Sequence, residues 1–180
     1  MGGRQAAVAE EELADLEGQL ADFFGAHYDR LIRLATLVCH SVSSVEDAVQ
    51  AAMEQAWRRR DTLRDVSRMR PWLDQIVVRE SIRLNRRPWW SRFQQASPEP
   101  ETVDTTSPGR QGGVDPTWIA LLVAFRKLPV EQRAVVALHL YVGYPVEETA
   151  RIMDASVETT RSRLRLARLR LRRELGEDER

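Results

Sequence analysis

Between residues 151 and 174 the chain sets eight arginines against three acidic residues, with leucines recurring among them. A guanidinium fork pairs bidentately with phosphate oxygens or with the O6 and N7 edge of guanine, and short polar side chains beside it can reach other base edges. The stretch "SVETTRSRLRLARLRLRREL" (156–175) supplies both kinds of group at helical spacing. At about 100° per residue, Val157, Thr160, Leu164, Ala167, Leu171 and Leu175 fall on one face, while Glu158, Thr159, Ser162 and Arg165 point away from it. Arg163 lies on a flank, and Arg161 nearer the edge of the apolar face. That division suits a helix held to its own domain by leucines and turned toward a polyanion by arginines. A salt-bridged solvated helix is the plainer reading, but the shortage of local acid leaves most of these arginines without a sequence neighbour to pair with. Leu166 and Leu169 project on the charged side, where a thymine methyl, the rest of the protein or an inhibitory partner could meet them.

No other constellation offers chemistry of comparable definition. His27, His40 and His139 do not form a ligand set with Cys39, because residues 39 and 40 diverge by about 100° on a helix. No Cys-x-x-Cys or His-x-x-x-His spacing occurs, so no structural metal is expected. The single cysteine excludes an internal disulfide and reads as a small buried apolar residue. Glu147 and Glu148 sit where the first turn of a helix favours negative charge, with no nucleophile or phosphate-cradling loop around them. The expectation is a protein with no enzymatic activity, metal or cofactor.

The elements that must hold the arginine helix are themselves helical. "PVEETARIMDASVETTRSRLRLARL" reads as a helix, a tight turn around Met153–Ala155, and a second helix capped by Ser156, which is helix-turn-helix spacing. "PTWIALLVAFRKLP" and "VEQRAVVALHLYVG" supply two more short helices ahead of it. An earlier block repeats the helical pattern. Phe23, Phe24, His27, Leu31, Leu34 and Val38 are spaced along one helix, and serines before acidic residues open the next. Its apolar stripe is Val45, Ala48, Val49, Ala52, Met53, Ala56 and Trp57. A third helix runs from about Met69 to Arg87, with Pro71 in its first turn and Pro88 after its end. No alternation of the strand type is present.

The expected fold is all-α, with two helical domains joined by a flexible linker. Residues 1–19 read as an acidic, disordered extension, 20–93 as the first domain, 94–115 as the Pro-, Gly- and Ser-rich linker, 116–176 as the second domain and 177–180 as a tail. Lys+Arg and Asp+Glu balance at 27 each, so the charge is informative through its segregation: acid at the start and in the linker, arginine in 58–92 and 151–173. No apolar run approaches a membrane span, and the start lacks the basic-then-apolar order of a signal peptide, which points to the cytoplasm.

With both blocks in view, the chain resembles the extracytoplasmic-function (ECF) sigma factors, the smallest class of bacterial promoter-recognition subunits. "SVEDAVQAAMEQAWRR" is similar to the family's acidic-Asp-Leu-Val-Gln-Glu segment followed by an aromatic and arginines. "RPWLDQIVVRESIRLNRR" is similar to its Trp-Leu helix with a basic end. "LPVEQRAVVALHLYVGYPVEETARIMDASVETTRSRLRLAR" resembles its Leu-Pro-x-x-x-Arg start, Gly-x-x-x-x-Glu-x-Ala helix and Ser-x-x-Thr-x-[Lys/Arg]-Ser-Arg recognition helix. The likeness spans about residues 20–175, with the linker matching only in character.

The resemblance implies a first domain (region 2) that binds core RNA polymerase and opens the −10 element, and a second (region 4) that reads the −35 element of promoter DNA. Carried over by position, Glu46, Asp47 and Gln50 match the polymerase-binding segment. Arg58, Arg59, Arg60 and Arg70 border the −10 site, and Arg79 and Arg83 stand in it. Thr159, Arg161, Ser162, Arg163 and Arg165 match the −35 reader. An anti-sigma factor is an implied partner. The sequence departs from the pattern at Ala51 (a family Glu), Arg79 (commonly Asn), Arg83 (usually Asp) and Asp154 (frequently Gly). Trp89, Trp90 and Phe93 could stack on unpaired bases but read better as padding for the first domain or as a contact with the other domain. A helix-turn-helix repressor or activator with a helical sensor domain would explain the last block and not the "VEDAVQ" and "RPWL" segments of the first.

Overall fold

The computed structural model describes the backbone of residues 2–86 and 116–176, and side chains over 16–86 (Val42 excepted) and 120–176. The linker 94–115, the tail 177–180 and the aromatic residues Trp89, Trp90 and Phe93 lie outside the described residues. Among the described residues every regular element is helical.

The first helix, α1 (Gly2–Val38), departs from the expectation, since it takes in the acidic segment assigned to a disordered extension. The reason is local. Residues 4–22 hold Ala, Glu, Leu and Gln, all strong helix formers, with no proline. Leu16, half-buried against the core, prolongs by one further turn the stripe of Leu20, Phe24, Leu31, Leu34 and Val38, and those last five are buried. α2 (Val42–Arg58) starts at Ser41, whose Oγ accepts the Ser44 backbone N–H at 3.3 Å, as an N-cap serine should. Val45, Ala48, Val49, Ala52 and Ala56 of its stripe are buried. Trp57 is not; it lies 43% exposed, with the Arg60 guanidinium 5.5 Å from its ring. Twelve positions after Val45 the helix has turned about 120° off the stripe, which places the indole at its rim.

Two single 3-10 turns (Arg60–Thr62 and Val66–Arg68) lead into α3 (Met69–Asn85). Asp65 caps the second turn through the Ser67 N–H at 2.9 Å, and the Ser67 hydroxyl first, then this N–H, hold its carboxyl below the usual range. Pro71 is accommodated in the first turn of α3, where its missing N–H has no helical acceptor to lose.

The second block comprises α4 (Pro116–Arg126), α5 (Val130–Val136), α6 (Val146–Ile152) and α7 (Val157–Glu174). α5 runs on into one π-helical turn, Ala137–Tyr141, and Gly143 at φ +89° makes the bend to α6 that a side-chain-bearing residue would resist. Phe125, Leu128, Val135, Val136, Leu164 and Ala167 form this block's own core. A second apolar surface of the block (Ala134, Ala137, Leu138 and Ile152) closes onto α1–α3 and shares their core. The two blocks therefore pack directly against each other, a juxtaposition that the sequence pattern does not contain.

Candidate nucleic-acid interface

The arginine helix has the two faces that its spacing predicts. Thr160, Leu164 and Ala167 are buried, Val157 and Leu171 half-buried, and Leu175 only marginally covered at the fraying end. Glu158, Thr159, Ser162 and Arg165 are exposed, as is Arg161, while Arg163 is half-buried on the flank. Leu166 and Leu169 stand 40% and 46% exposed on the charged side.

Local chemistry sets the helix start. Ser156 Oγ accepts the Thr159 N–H at 3.0 Å and donates to the Thr159 hydroxyl at 2.8 Å, so that the exposed threonine is oriented by the cap. Thr160 turns inward and donates to the Ser156 carbonyl at 3.0 Å. The turn between α6 and α7 passes through Asp154 at φ 51°, the left-handed conformation expected at the family's frequent glycine. Across that turn Arg161 pairs with Glu147 at 3.2 Å, and Arg170 donates to the buried Gln132 at 3.0 Å. Among the described residues, Arg165, Arg168, Arg172 and Arg173 have no carboxylate within ion-pair distance. Their charge is available to an external anion.

In the first block the candidate residues separate into two groups. Glu46, Asp47 and Gln50 are exposed on the outer face of α2, away from its buried stripe, and Gln50 reaches Glu54 at 3.5 Å. The arginines at the other end of α2 and on α3 are mostly engaged. Arg58 pairs with Glu54 at 3.3 Å, Arg60 with Glu17 at 2.7 Å, Arg83 with Glu80 at 2.6 Å and Arg79 with Asp154 at 3.5 Å. Arg59 and Arg79 line one open hollow of about 510 Å3, floored by Trp72 and Ile76. Arg58, Arg60, Arg70 and Arg83 do not line it. Trp72 and Gln75 of this hollow were not among the residues singled out from sequence; with Arg79 they follow at i, i+3 and i+7 on α3, and that spacing is the signal for them.

Two buried polar groups also escape a reading by motif. Asp74, fully buried on α3, accepts both Arg30 nitrogens (2.7 and 3.0 Å) and the Tyr144 hydroxyl at 2.8 Å. Burial, and then the negative Asp74 beside it, pushes the Tyr144 phenol above its ordinary value. Arg133 of α5 is 0% exposed, and its guanidinium reaches His40 Nδ1 at 3.2 Å and Asn85 Oδ1 at 3.4 Å. Burial draws it down to about 10. The clue in sequence is one ionisable residue set in each of two apolar runs, "WLDQIVV" and "QRAVVAL".

Among the described residues no cluster of three His, Cys, Asp or Glu side chains could hold a metal ion, and no helix is long and apolar enough to cross a membrane. Comparison with known proteins matches the two blocks separately. Residues 23–91 match the family described as Sigma-70 region 2, and 118–171 that described as Sigma-70, region 4. The ECF RNA polymerase sigma factor SigM of Mycobacterium tuberculosis is 34% identical over 153 residues, covering 85% of this chain and 75% of that protein. RNA polymerase sigma factor SigV of Bacillus subtilis is 25% identical over 152 residues, covering 82% and 88%. In fold, the chain is similar to the sigma factor RpoE of Bartonella quintana, solved in complex with the anti-sigma factor NepR, with a TM-score of 0.66 at 24% identity over 94% of this chain and 99% of that one. CnrH, solved with the cytosolic domain of CnrY, gives 0.61 at 22% identity over 89% of each. An arginine-faced helix-turn-helix, a preceding three-helix block with an exposed acidic segment, and matches to both regions in the same order make this chain a member of the ECF RNA polymerase sigma factors.

Proposed function

We propose the following division of roles within this sigma factor. α7 enters the major groove of the −35 element, with Thr159, Ser162 and Arg165 toward base edges and Arg161 and Arg163 toward phosphates. The exposed face of α2, through Glu46, Asp47 and Gln50, docks on core RNA polymerase. Arg58, Arg59, Arg60, Arg70, Arg79 and Arg83 attend the −10 element, with Arg59 and Arg79 at the hollow where an unpaired base would sit. Region 2 occupies 20–93 and region 4 occupies 116–176, joined by the linker between them. The protein works in the cytoplasm, without catalytic chemistry or cofactor of its own, and an anti-sigma factor controls it, a reading supported by the similarly folded RpoE solved in complex with the anti-sigma factor NepR.

The observation that carries this reading is the two-faced α7: Thr160, Leu164 and Ala167 buried, Ser162 and Arg165 exposed, and four arginines without a carboxylate partner among the described residues. The experiment is reconstitution with core polymerase. Wild type should direct promoter-specific transcripts, and alanine at both Ser162 and Arg165 should change which −35 sequence is preferred. Asp47→Arg with Gln50→Ala should abolish capture of core polymerase while leaving helical content intact, since both residues lie off the buried stripe. Unchanged promoter choice in the first variant, or unchanged polymerase binding in the second, removes the corresponding role.

A further inference from the structure

Where the end of α2 faces α3, the open hollow of about 510 Å3 brings together an aromatic floor, two guanidiniums and a carboxylate. Helical spacing builds it. Trp72, Ile76, Arg79 and Glu80 stand at i, i+4, i+7 and i+8 on α3, so that one side of this helix lines the hollow. Arg59, just past the end of α2, lines it from the other side. Much of the charge here is unspent. Among the described residues Arg59 has no carboxylate within ion-pair distance. Arg79 holds Asp154 at 3.5 Å, and that carboxylate is 85% exposed, so solvent leaves the pair little energy to oppose a better acceptor. Glu80 is largely covered, at 13% exposure, and it gives Oε2 to Arg83 at 2.6 Å, which leaves Oε1 to accept from another donor.

We infer that the hollow is a guanine site: it takes one unpaired guanine of the −10 element, with Arg79 on the O6 and N7 edge and Glu80 on the N1–H and N2–H2 edge. The inference rests on the −10 role proposed above for this end of the first domain, and it names the base. Three arguments carry it. A guanidinium fork matches two adjacent acceptors, which guanine presents at O6 and N7, whereas adenine pairs its N7 with a donor amino group. A carboxylate only accepts, and guanine alone joins a two-donor edge to that two-acceptor edge, so thymine leaves Glu80 without its pair of donors. Cytosine offers acceptors and one amino group, but its single ring covers less of the Trp72 indole than a purine does. A bare phosphate fits worse than any base, since it gains nothing from an apolar floor and is repelled by Glu80. Arg59, on the opposite side, is placed to meet the phosphate of the flipped nucleotide.

The test uses holoenzyme formed from the full chain and core polymerase, on promoter duplexes held unpaired across a randomised −10 element. Wild type should enrich guanine at one position of the non-template strand. At that position 7-deazaguanine removes N7 and inosine removes the N2 amino group, and each should weaken binding by about fivefold or more. Arg79→Lys keeps the charge and loses the fork, so it should lose the guanine preference and the 7-deazaguanine penalty together. Arg79→Asn should move the preference toward adenine, the partner of an amide. Glu80→Gln should shrink the inosine penalty and leave the 7-deazaguanine penalty in place. Choice of −35 sequence by the same variants reports that they fold and assemble. A firm −10 preference for another base, or a guanine preference that lysine rescues at position 79, overturns the inference and leaves the −10 role standing. The absence of any −10 base preference beside an intact −35 choice removes the role and the guanine site together. Saturable binding of free guanosine monophosphate to the chain alone, lost in Arg79→Lys, would make the hollow a nucleotide site and overturns its assignment to the promoter.

Discussion

The arginines of the first domain and those of α7 have the same chemistry and largely opposite circumstances, with Arg59 and Arg70 in the one and Arg161 in the other among the exceptions in the described residues. In the first domain Arg58, Arg60, Arg79 and Arg83 each face a carboxylate, and Arg30 is bound to the buried Asp74. On α7, Arg165, Arg168, Arg172 and Arg173 face none among the described residues. A cation without an internal partner exchanges only small counterions when it meets a phosphate, so each contact contributes to affinity and to salt dependence. A paired cation must first give up its carboxylate, so part of what the phosphate offers is spent. The first domain therefore suits conditional engagement, after polymerase has changed its surroundings, and α7 suits engagement at first encounter.

The strongest challenge to that contrast is Asp74→Ala. It leaves the partly buried Arg30 and the half-buried Tyr144 without their acceptor, and chemical denaturation should report a loss approaching about 3 kcal/mol, the lower end for broken buried pairs. A loss below about 1 kcal/mol would mean that the first domain's pairing is ornamental. Comparable in size is Leu164→Ala, which should cost about 2–5 kcal/mol by the cavity it opens in the second core. Leu166→Ala, two residues on and exposed, should stay within about 0.5 kcal/mol. Arg165→Ala should weaken discrimination at one −35 base by about 1–3 kcal/mol, read as relative binding across a library of variant sites. The smallest and most direct comparison is the salt slope of promoter binding by holoenzyme. Arg168→Ala should reduce the slope by about 0.9 if that residue meets a phosphate, and Arg58→Ala by clearly less. Equal reductions would erase the distinction between free and paired arginines.

How much of this is written in the sequence depends on how far apart the partners lie. The cap at Ser156, the left-handed turn at Asp154 and the burial of Leu164 between the half-buried Arg163 and the exposed Arg165 follow from positions at most four residues apart, so helical periodicity and turn chemistry expose them. The start of α1 is harder to place because acidity suggests solvation, whereas Leu16, one turn ahead of the buried Leu20, packs against the same core. The Tyr144–Asp74 bond joins residues 70 apart and the Arg133–His40 contact residues 93 apart. Local pattern marks Asp74 and Arg133 only as misplaced charges in apolar runs. Finding their partners requires the tertiary packing of two helical blocks, which periodicity within either block does not specify.

Asp154 gives the molecule an easy path of descent. Its backbone sits where glycine is at ease and most other residues are strained, and its carboxylate reaches across to Arg79. A single base change converts an aspartate codon to a glycine codon. That step would preserve the turn ahead of α7 and delete one ion pair between the two blocks. Aspartate and glycine at this position are then one mutation apart and both tolerated by the backbone, and they differ in whether the turn is tied to α3.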